Sequence, residues 1–304
     1  MNRNFDSDRN LAKIYQYLKK EKKAPGRIGL SLRQVFGGIF KYAVLLFVIT
    51  TTVLPLLWIV ISSFKTNMEV LDSAFTFPKT FSFDSYVTVA KVAKIFLYFS
   101  NSAIVSFFSV VFALTVFGMA GYVLARFDFK GKNLIYLLFG TTLLIPQNSM
   151  MTPIYLLTKY LHIYDTKIAL ILVYTAIGLP LSIFILRSYF VTIPQELEES
   201  AYMEGASFLK TYCHIILPLS KPALASAGAL LFLNYWNEFL FALLLTSSQN
   251  NRTLPLALSY FLGQFTYDYP SLFAAIVISV IPSIIIYFLI QERITNSMAG
   301  ALKE

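Results

Sequence analysis

Charge is scarce in this sequence: 13% of its 304 residues are Asp, Glu, Lys or Arg, about half the share of a soluble globular chain. With 57% of the residues apolar, and several long windows holding no charge, an ordinary soluble domain is excluded, because such windows need hydrocarbon around them. Cysteine is almost missing. Cys213 stands alone, which rules out an internal disulfide and a thiolate metal cluster. The two histidines, His162 and His214, fall on opposite sides of the membrane in the topology expected below, so a His-assisted nucleophile has no counterpart to work with. The phosphate-cradling pattern G-x-x-x-x-G-K-[ST] is absent, since Gly131-Lys132 lacks the preceding glycine and is followed by Asn133. Neither a His-Glu-x-x-His site nor a Gly-x-Ser-x-Gly elbow occurs. Acidic residues inside apolar windows are also rare, Glu238 being the one strong candidate. That is thin support for an ion-coupled machine, which keeps carboxylates within its spans.

What the chain does contain is six apolar segments, near 40–63, 101–125, 134–156, 168–186, 223–245 and 271–290, each close to the roughly 20 residues a helix needs to cross a bilayer. Pro55, Pro146, Pro180 and Pro282 fall inside four of them, where each frees a backbone carbonyl that neighbours or water must satisfy. Ahead of the segments lies a basic tail, residues 1–37, with Leu11, Ile14, Tyr15 and Leu18 at helical spacing. It reads either as an amphipathic surface helix or as a loosely ordered tail. The net charge of +9 does not indicate a nucleic-acid partner, because the basic residues flank the spans. With the N-terminus inside, 18 of the 25 Lys and Arg residues lie in cytoplasmic segments, which places both termini in the cytoplasm. No cleavable signal peptide is visible, since the first apolar stretch starts late and continues as a full span. The expected architecture is an all-α polytopic membrane protein: the tail, then one six-helix domain over 38–304. The largest external loop, 65–94, holds turn formers and a possible surface helix from Asp84 onward.

The longest polar interruption between late spans is 194–218. Pro194 suits the first position of a helix, and Glu196, Glu198 and Glu199 follow where a helix dipole favours negative charge. Gly205 can end that helix in a left-handed conformation, and Ser207 can cap a second one carrying Phe208, Leu209 and Tyr212. A loop that only joined two spans could be much shorter. The spacing within it is specific: Glu199-Ser200-Ala201, three residues, Gly205, nine residues, Ile215, one residue, Leu217-Pro218.

That spacing resembles the EAA loop of permease subunits from binding-protein-dependent ABC importers. Ser200 replaces the commonest alanine, and Glu204 stands where aspartate is frequent. Further stretches resemble the carbohydrate-uptake branch and its six-span, maltose-permease-like subunits: Asn101-Ser102, Gly121 to Phe127, Trp236-Asn237-Glu238-Phe239, Arg252 to Leu256, and the ending Met298 to Lys303. The resemblance implies a type I importer permease fold over residues 38–304, in the bacterial cytoplasmic membrane. It implies that the loop docks in a cleft of a separate ATPase and rocks the permease between inward and outward states. In that picture Glu199 and Ser200 face the ATPase, Gly205 sets the bend, Ala201, Ala206 and Leu209 pack in the cleft, and Ile215, Leu217 and Pro218 complete the motif. The implied partners are a second homologous permease, two ATPase subunits that bind ATP and Mg, an extracellular solute-binding protein, membrane lipid and a carbohydrate. The chain itself is expected to hold no cofactor and no catalytic site. Segment 262–269 resembles the part that probes the binding protein, and Arg293 with the C-terminal tail is placed near the ATPase.

A sugar path needs hydroxyl-matching groups beside aromatic faces. Asn234, Asn237 and Glu238 share one face of a continuous fifth helix, with Trp236 pointing elsewhere. Gln147 and Asn148, after Pro146, are weaker candidates of the same kind. The same polar face would also serve interhelical hydrogen bonds or contact with the partner permease. The function expected is import of a carbohydrate, in particular an oligosaccharide. The alternatives are another polar solute, such as a polyol or glycerol phosphate, within the same family, and an ion-coupled secondary transporter outside it.

Overall fold

The structure is a computed structural model that describes residues 32–73, 75–91, 94–263 and 268–301, and every regular element among them is helical. Most of the basic tail, segment 264–267 and the side chain of Arg293 lie outside the described residues. The chain divides into two units, Met1–Leu57 and Trp58–Glu304. Helix α1 (Leu32–Ser62) supplies the described part of the first. Side chains 39–57 on it are exposed all round and almost wholly apolar, the pattern of a helix meant for lipid rather than water. It begins six residues before the expected domain boundary at residue 38.

The second unit opens with α2 (Asn67–Asp72), held by a capping box between Thr66 and Glu69, and α3 (Asp84–Lys91), where the sequence suggests a surface helix. Helix α4 (Ile95–Arg126) has 32 residues, about 48 Å at 1.5 Å each, so it outreaches a hydrocarbon core of about 30 Å. Then follow α5 (Lys132–Thr141), a 3₁₀ turn at Thr142–Leu144, α6 (Gln147–Tyr160), α7 (Lys167–Ile177) and α8 (Leu179–Thr192). The polar loop forms α9 (Glu196–Met203) and α10 (Phe208–Thr211), which runs through a π turn at Tyr212–Ile216 into Leu217–Leu219. Helices α11 (Lys221–Trp236), α12 (Leu240–Leu245), α13 (Leu254–Gly263) and α14 (Tyr269–Ala301) complete the described chain.

Three helices are long and apolar enough to cross a membrane unbroken, over Gly38–Ser62, Ile95–Arg126 and Tyr269–Gln291. The other expected spans are broken or bent. Segment 134–156 is not one kinked helix: it turns by 102° between Leu144 and Gln147, at Pro146, whose extended backbone cannot continue a helix. Segment 168–186 bends by 48° at Gly178 and continues to Thr192. Segment 223–245 stops at Trp236 and restarts at Leu240. Before it, the loop's second helix meets α11 at 79°. Pairing each bent couple gives six candidate spans among the described residues.

Helix α4 is the spine, packing along α7, α8 and α11. Three buried clusters follow one another along it. Ile95 and Tyr98 join Val89, Trp236, Leu254 and Ala274 at one end. Val105 and Ala113 meet Leu170, Tyr174, Leu231, Tyr235 and Phe241 in the middle. Tyr122 meets Leu186, Phe190, Tyr212, Ile216 and Ala227 at the other end, beneath the polar loop. Close approach along this line needs small residues on α4: a methyl group built on Gly118 would lie 3.1 Å from the Tyr212 hydroxyl oxygen.

Candidate functional site

The polar loop is a built knob. Helix α9 ends in a Schellman motif, with the Ala206 N–H donating to Ala201 O at 2.9 Å and the Gly205 N–H to Tyr202 O at 3.0 Å. Gly205 carries φ +80° there, as its sequence position suggests. Other expectations change. Pro194 precedes the helix, which starts at Glu196 after Gln195. Ser207 stands at the N-cap of α10 with extended backbone, yet its hydroxyl caps nothing among the described residues. Ala201 is buried within this chain and so is not on the outer surface where a docking partner would sit. Glu199, Ser200, Gly205 and Pro218 are exposed, Ala206, Ile215 and Leu217 half-buried. Met203, 89% exposed, and Leu209 give the knob an apolar tip. The π turn lies just before Pro218, which has no N–H to give the carbonyl of His214.

Beneath the knob lies a set of residues that motif spacing does not reveal. Of the three first-turn glutamates, Glu198 is turned inward and is 5% exposed. Its Oε1 meets Arg126 Nε at 2.5 Å and its Oε2 accepts from the Tyr122 hydroxyl at 2.6 Å. Arg126 Nη2 also donates to Ile193 O at 2.6 Å, the carbonyl of the residue that caps α8. The Tyr122 ring is packed by Phe127, Phe190, Phe208 and Tyr212, with centroids between 5.0 and 6.3 Å. The one signal in the sequence is the Gly121 to Phe127 stretch, which carries both Tyr122 and Arg126.

The second candidate region is the break between α11 and α12. Since α11 ends at Trp236, Asn237 and Glu238 lie in non-helical backbone and share no helical face with Asn234. The break nevertheless gathers them. A cavity of about 510 Å³ is lined by Gln147, Asn234, Asn237 and Glu238, with Tyr174 and Tyr235 among its walls. Asn148 is exposed and outside that lining. Trp236 points away, as expected, into the cluster with Val89, and its indole N–H donates to Ser279 O at 2.9 Å. Glu238 is already engaged: Oε2 accepts from the Tyr174 hydroxyl at 2.6 Å and the Ala242 N–H at 3.1 Å, and Oε1 from the Phe241 N–H at 2.7 Å. Its carboxylate thereby satisfies amides of α12 that the break would leave unpaired. Asn234 and Asn237 each donate one amide hydrogen to a carbonyl four residues earlier, at 3.1 and 2.8 Å. Each has a carbonyl oxygen and a second N–H with no further partner among the described residues. A separate cavity of about 450 Å³, beside the α5–α6 bend, has walls that are mainly aliphatic and offers a polar solute little.

The loop joining α6 to α7 is tied to the one after α12. Asp165 accepts from the amides of Ser247 and Ser248 at 2.9 and 3.0 Å and from the Ser248 hydroxyl at 3.0 Å. Burial alone would raise the pKa of this carboxyl, but the amides of Ser248 and Ser247 outweigh it and hold it below the usual range.

Residues 117–300 match the family described as binding-protein-dependent transport system inner membrane component. The chain is 33% identical over 260 residues to the diacetylchitobiose uptake system permease of Streptomyces coelicolor, covering 85% of this chain and 86% of that one. It is 36% identical over 253 residues to the trehalose/maltose transport system permease of Thermococcus litoralis, covering 82% and 91%. Its fold is that of a chain in the crystal structure of a bacterial ABC transporter involved in the import of the acidic polysaccharide alginate, with a TM-score of 0.76 and 24% identity over 86% of this chain and 98% of that one. The chain belongs to the binding-protein-dependent transport system inner membrane component family, the permease subunits of ABC importers, and has the type I importer permease fold.

Proposed function

We propose that this chain is one permease subunit of an importer that moves a carbohydrate, in particular an oligosaccharide, into the cell. Permeases of this family carry no ATPase site of their own and work with a separate ATPase and a binding protein. The observation that carries the substrate class is the cavity at the α11–α12 break. Asn234, Asn237 and Gln147 bring amide groups that both donate and accept, the pairing a hydroxyl needs, while Tyr174 and Tyr235 stand beside them in the wall. Glu238 shapes the site by fixing the break, because its oxygens already accept hydrogen bonds from three groups. Relatives named for diacetylchitobiose and for trehalose/maltose support the oligosaccharide reading.

Energy enters through the 194–218 knob. Exposed Glu199 and Ser200, with the apolar Met203 and Leu209, offer one charge contact and a greasy tip to a cleft of the ATPase. ATP and Mg belong to a pair of ATPase subunits in this scheme; this chain contributes no group to them and no catalytic residue. A second homologous permease completes the membrane part, an extracellular binding protein delivers the solute, and both termini of the chain are cytoplasmic.

The decisive experiment uses membrane vesicles containing the chain with its co-expressed partner permease, ATPase and binding protein, supplied with labelled maltodextrins and chitooligosaccharides. ATP-dependent accumulation of at least one of them is expected. Asn237→Ala should raise the KM about three- to tenfold, the value of one or two lost hydrogen bonds, with ATPase association unchanged. Uptake by the chain alone without ATP would refute the importer reading, and an unchanged KM would remove Asn237 from the path.

A further inference from the structure

Three glutamates open α9, yet their environments differ. Glu196 and Glu199 are exposed, as the helix dipole alone would have them, while Glu198 is buried with both oxygens engaged. Burying a carboxylate and a guanidinium together adds little stability over a well-packed apolar pair, because desolvation cancels most of the attraction. What the arrangement gains is position. The Arg126 guanidinium bridges the Glu198 carboxylate on α9 and the Ile193 carbonyl at the end of α8, from the last residue of α4. One turn earlier, the Tyr122 hydroxyl holds the other Glu198 oxygen, and its ring lies under α10 and the π turn. The inner side of the knob is therefore fastened to the end of the spine helix, whose middle packs against Tyr174 and Tyr235 of the cavity wall.

We propose that Tyr122, Arg126 and Glu198 form a positioning clamp that makes the end of α4 follow the knob, so that movement imposed on the loop is delivered to the spans. The inference rests on the reading that an ATPase docks on the knob. It assigns a purpose to the Gly121 to Phe127 stretch, which the docking picture leaves unused. Glu199 is the outward contact and Glu198 the inward one, adjacent in sequence and opposite in role. Loss of the outward contact weakens docking. Loss of the inward one leaves docking intact and wastes the stroke.

The test separates these. In the assembled complex in membranes, Leu230→Cys in a Cys213→Ser background, at a wall position of the cavity whose side chain makes no hydrogen bond, reports the cavity through its rate of reaction with N-ethylmaleimide, with and without ATP plus vanadate, which trap ADP on the ATPase. In this background the labelling rate should change on trapping, and an unchanged rate overturns the premise that the stroke reaches the cavity; a wild-type complex that hydrolyses no ATP with its co-purified partner speaks against the importer reading itself, not against the clamp. Glu198→Gln should retain ATPase association and ATP hydrolysis while the trapping-induced change in labelling falls by roughly two- to thirtyfold, the span of mutational effects on coupling. The paired variant Arg126→Leu with Glu198→Leu removes the charges together and keeps the interior filled. It should recover thermal stability without recovering the labelling response. Recovery of both shows that the trio only stabilises the fold and overturns the proposal. Should the pair fail to assemble, Tyr122→Phe decides, since it deletes one hydroxyl and no ring: an undiminished response overturns the clamp as well.

Discussion

Gly178 owes its identity to what lies over it. Its φ of −73° would suit any residue, but a methyl group built there would sit 1.8 Å from the Tyr235 hydroxyl oxygen and 2.9 Å from Leu231 Cδ2. Tyr235 is buried, and its hydroxyl has no hydrogen-bond partner among the described residues. Its oxygen is packed directly over Gly178. Gly178→Ala is expected to cost about 1–3 kcal/mol through overpacking, read as a lowered Tm of the purified complex. Tyr235→Phe alone should be close to neutral, and combining the two should return a good part of the loss; a double variant as unstable as Gly178→Ala would show that the overlap is not the cause. The sequence shows the bend only through Pro180. Nothing in it points to Gly178, because the constraint comes from a side chain 57 positions away. The same holds for Glu238. Its residue type marks it as unusual in an apolar span, but its hydrogen bond to Tyr174, 64 residues earlier, belongs to the folded chain.

Among elements, breaks decide the site. Periodicity alone treats 223–245 as one helix, because apolar residues dominate on both sides of Asn234, Asn237 and Glu238 and no proline interrupts it. The helix ends at Trp236 because a carboxylate is at hand to receive the amides of Phe241 and Ala242. At Pro146 the proline is visible, but the 102° turn is not, since a proline sets where a helix stops and the surroundings set where the chain goes next. The connection after α6 is a further example. His162 and Asp165 take positive φ, 55° and 59°, and Asp165 N–H donates to Leu245 O at 3.0 Å, so this loop and the end of α12 are shaped together. Asp165 also makes the tie pH-dependent. Its pKa is lowered in the folded chain, so the stabilisation is complete above the unfolded value of about 3.9 and is lost as pH falls through the lower folded one. Hydrogen exchange at Ser247 and Ser248, corrected for intrinsic rates, should show constant protection at pH 5 and above and a decline in more acidic buffer. In Asp165→Asn the protection should be weaker and flat across that range. A wild-type profile without the acid decline would mean that the carboxylate does not hold the loop.

For the molecule as a whole, the arrangement of knob, spine and cavity explains why some of the protein was legible and some was not. The EAA spacing is local, so a linear reading finds the knob and its glycine bend. The cavity draws Gln147, Tyr174 and Asn234 from three helices, and the clamp joins residues 76 positions apart, so neither can be found by spacing. Charge counting, by contrast, works on the whole chain at once, and it predicts a cytoplasmic face for the knob. The protein carries its own reporter for that orientation: Cys213, its sole cysteine, is exposed within the π turn of the knob. A membrane-impermeant maleimide should label inverted vesicles and leave sealed right-side-out vesicles unlabelled until they are permeabilised. If the ATPase cleft receives the knob, labelling of inverted vesicles should fall several-fold when the ATPase is present and return when it is stripped off. Labelling of intact right-side-out vesicles would reverse the topology and, with it, the direction from which energy reaches the cavity.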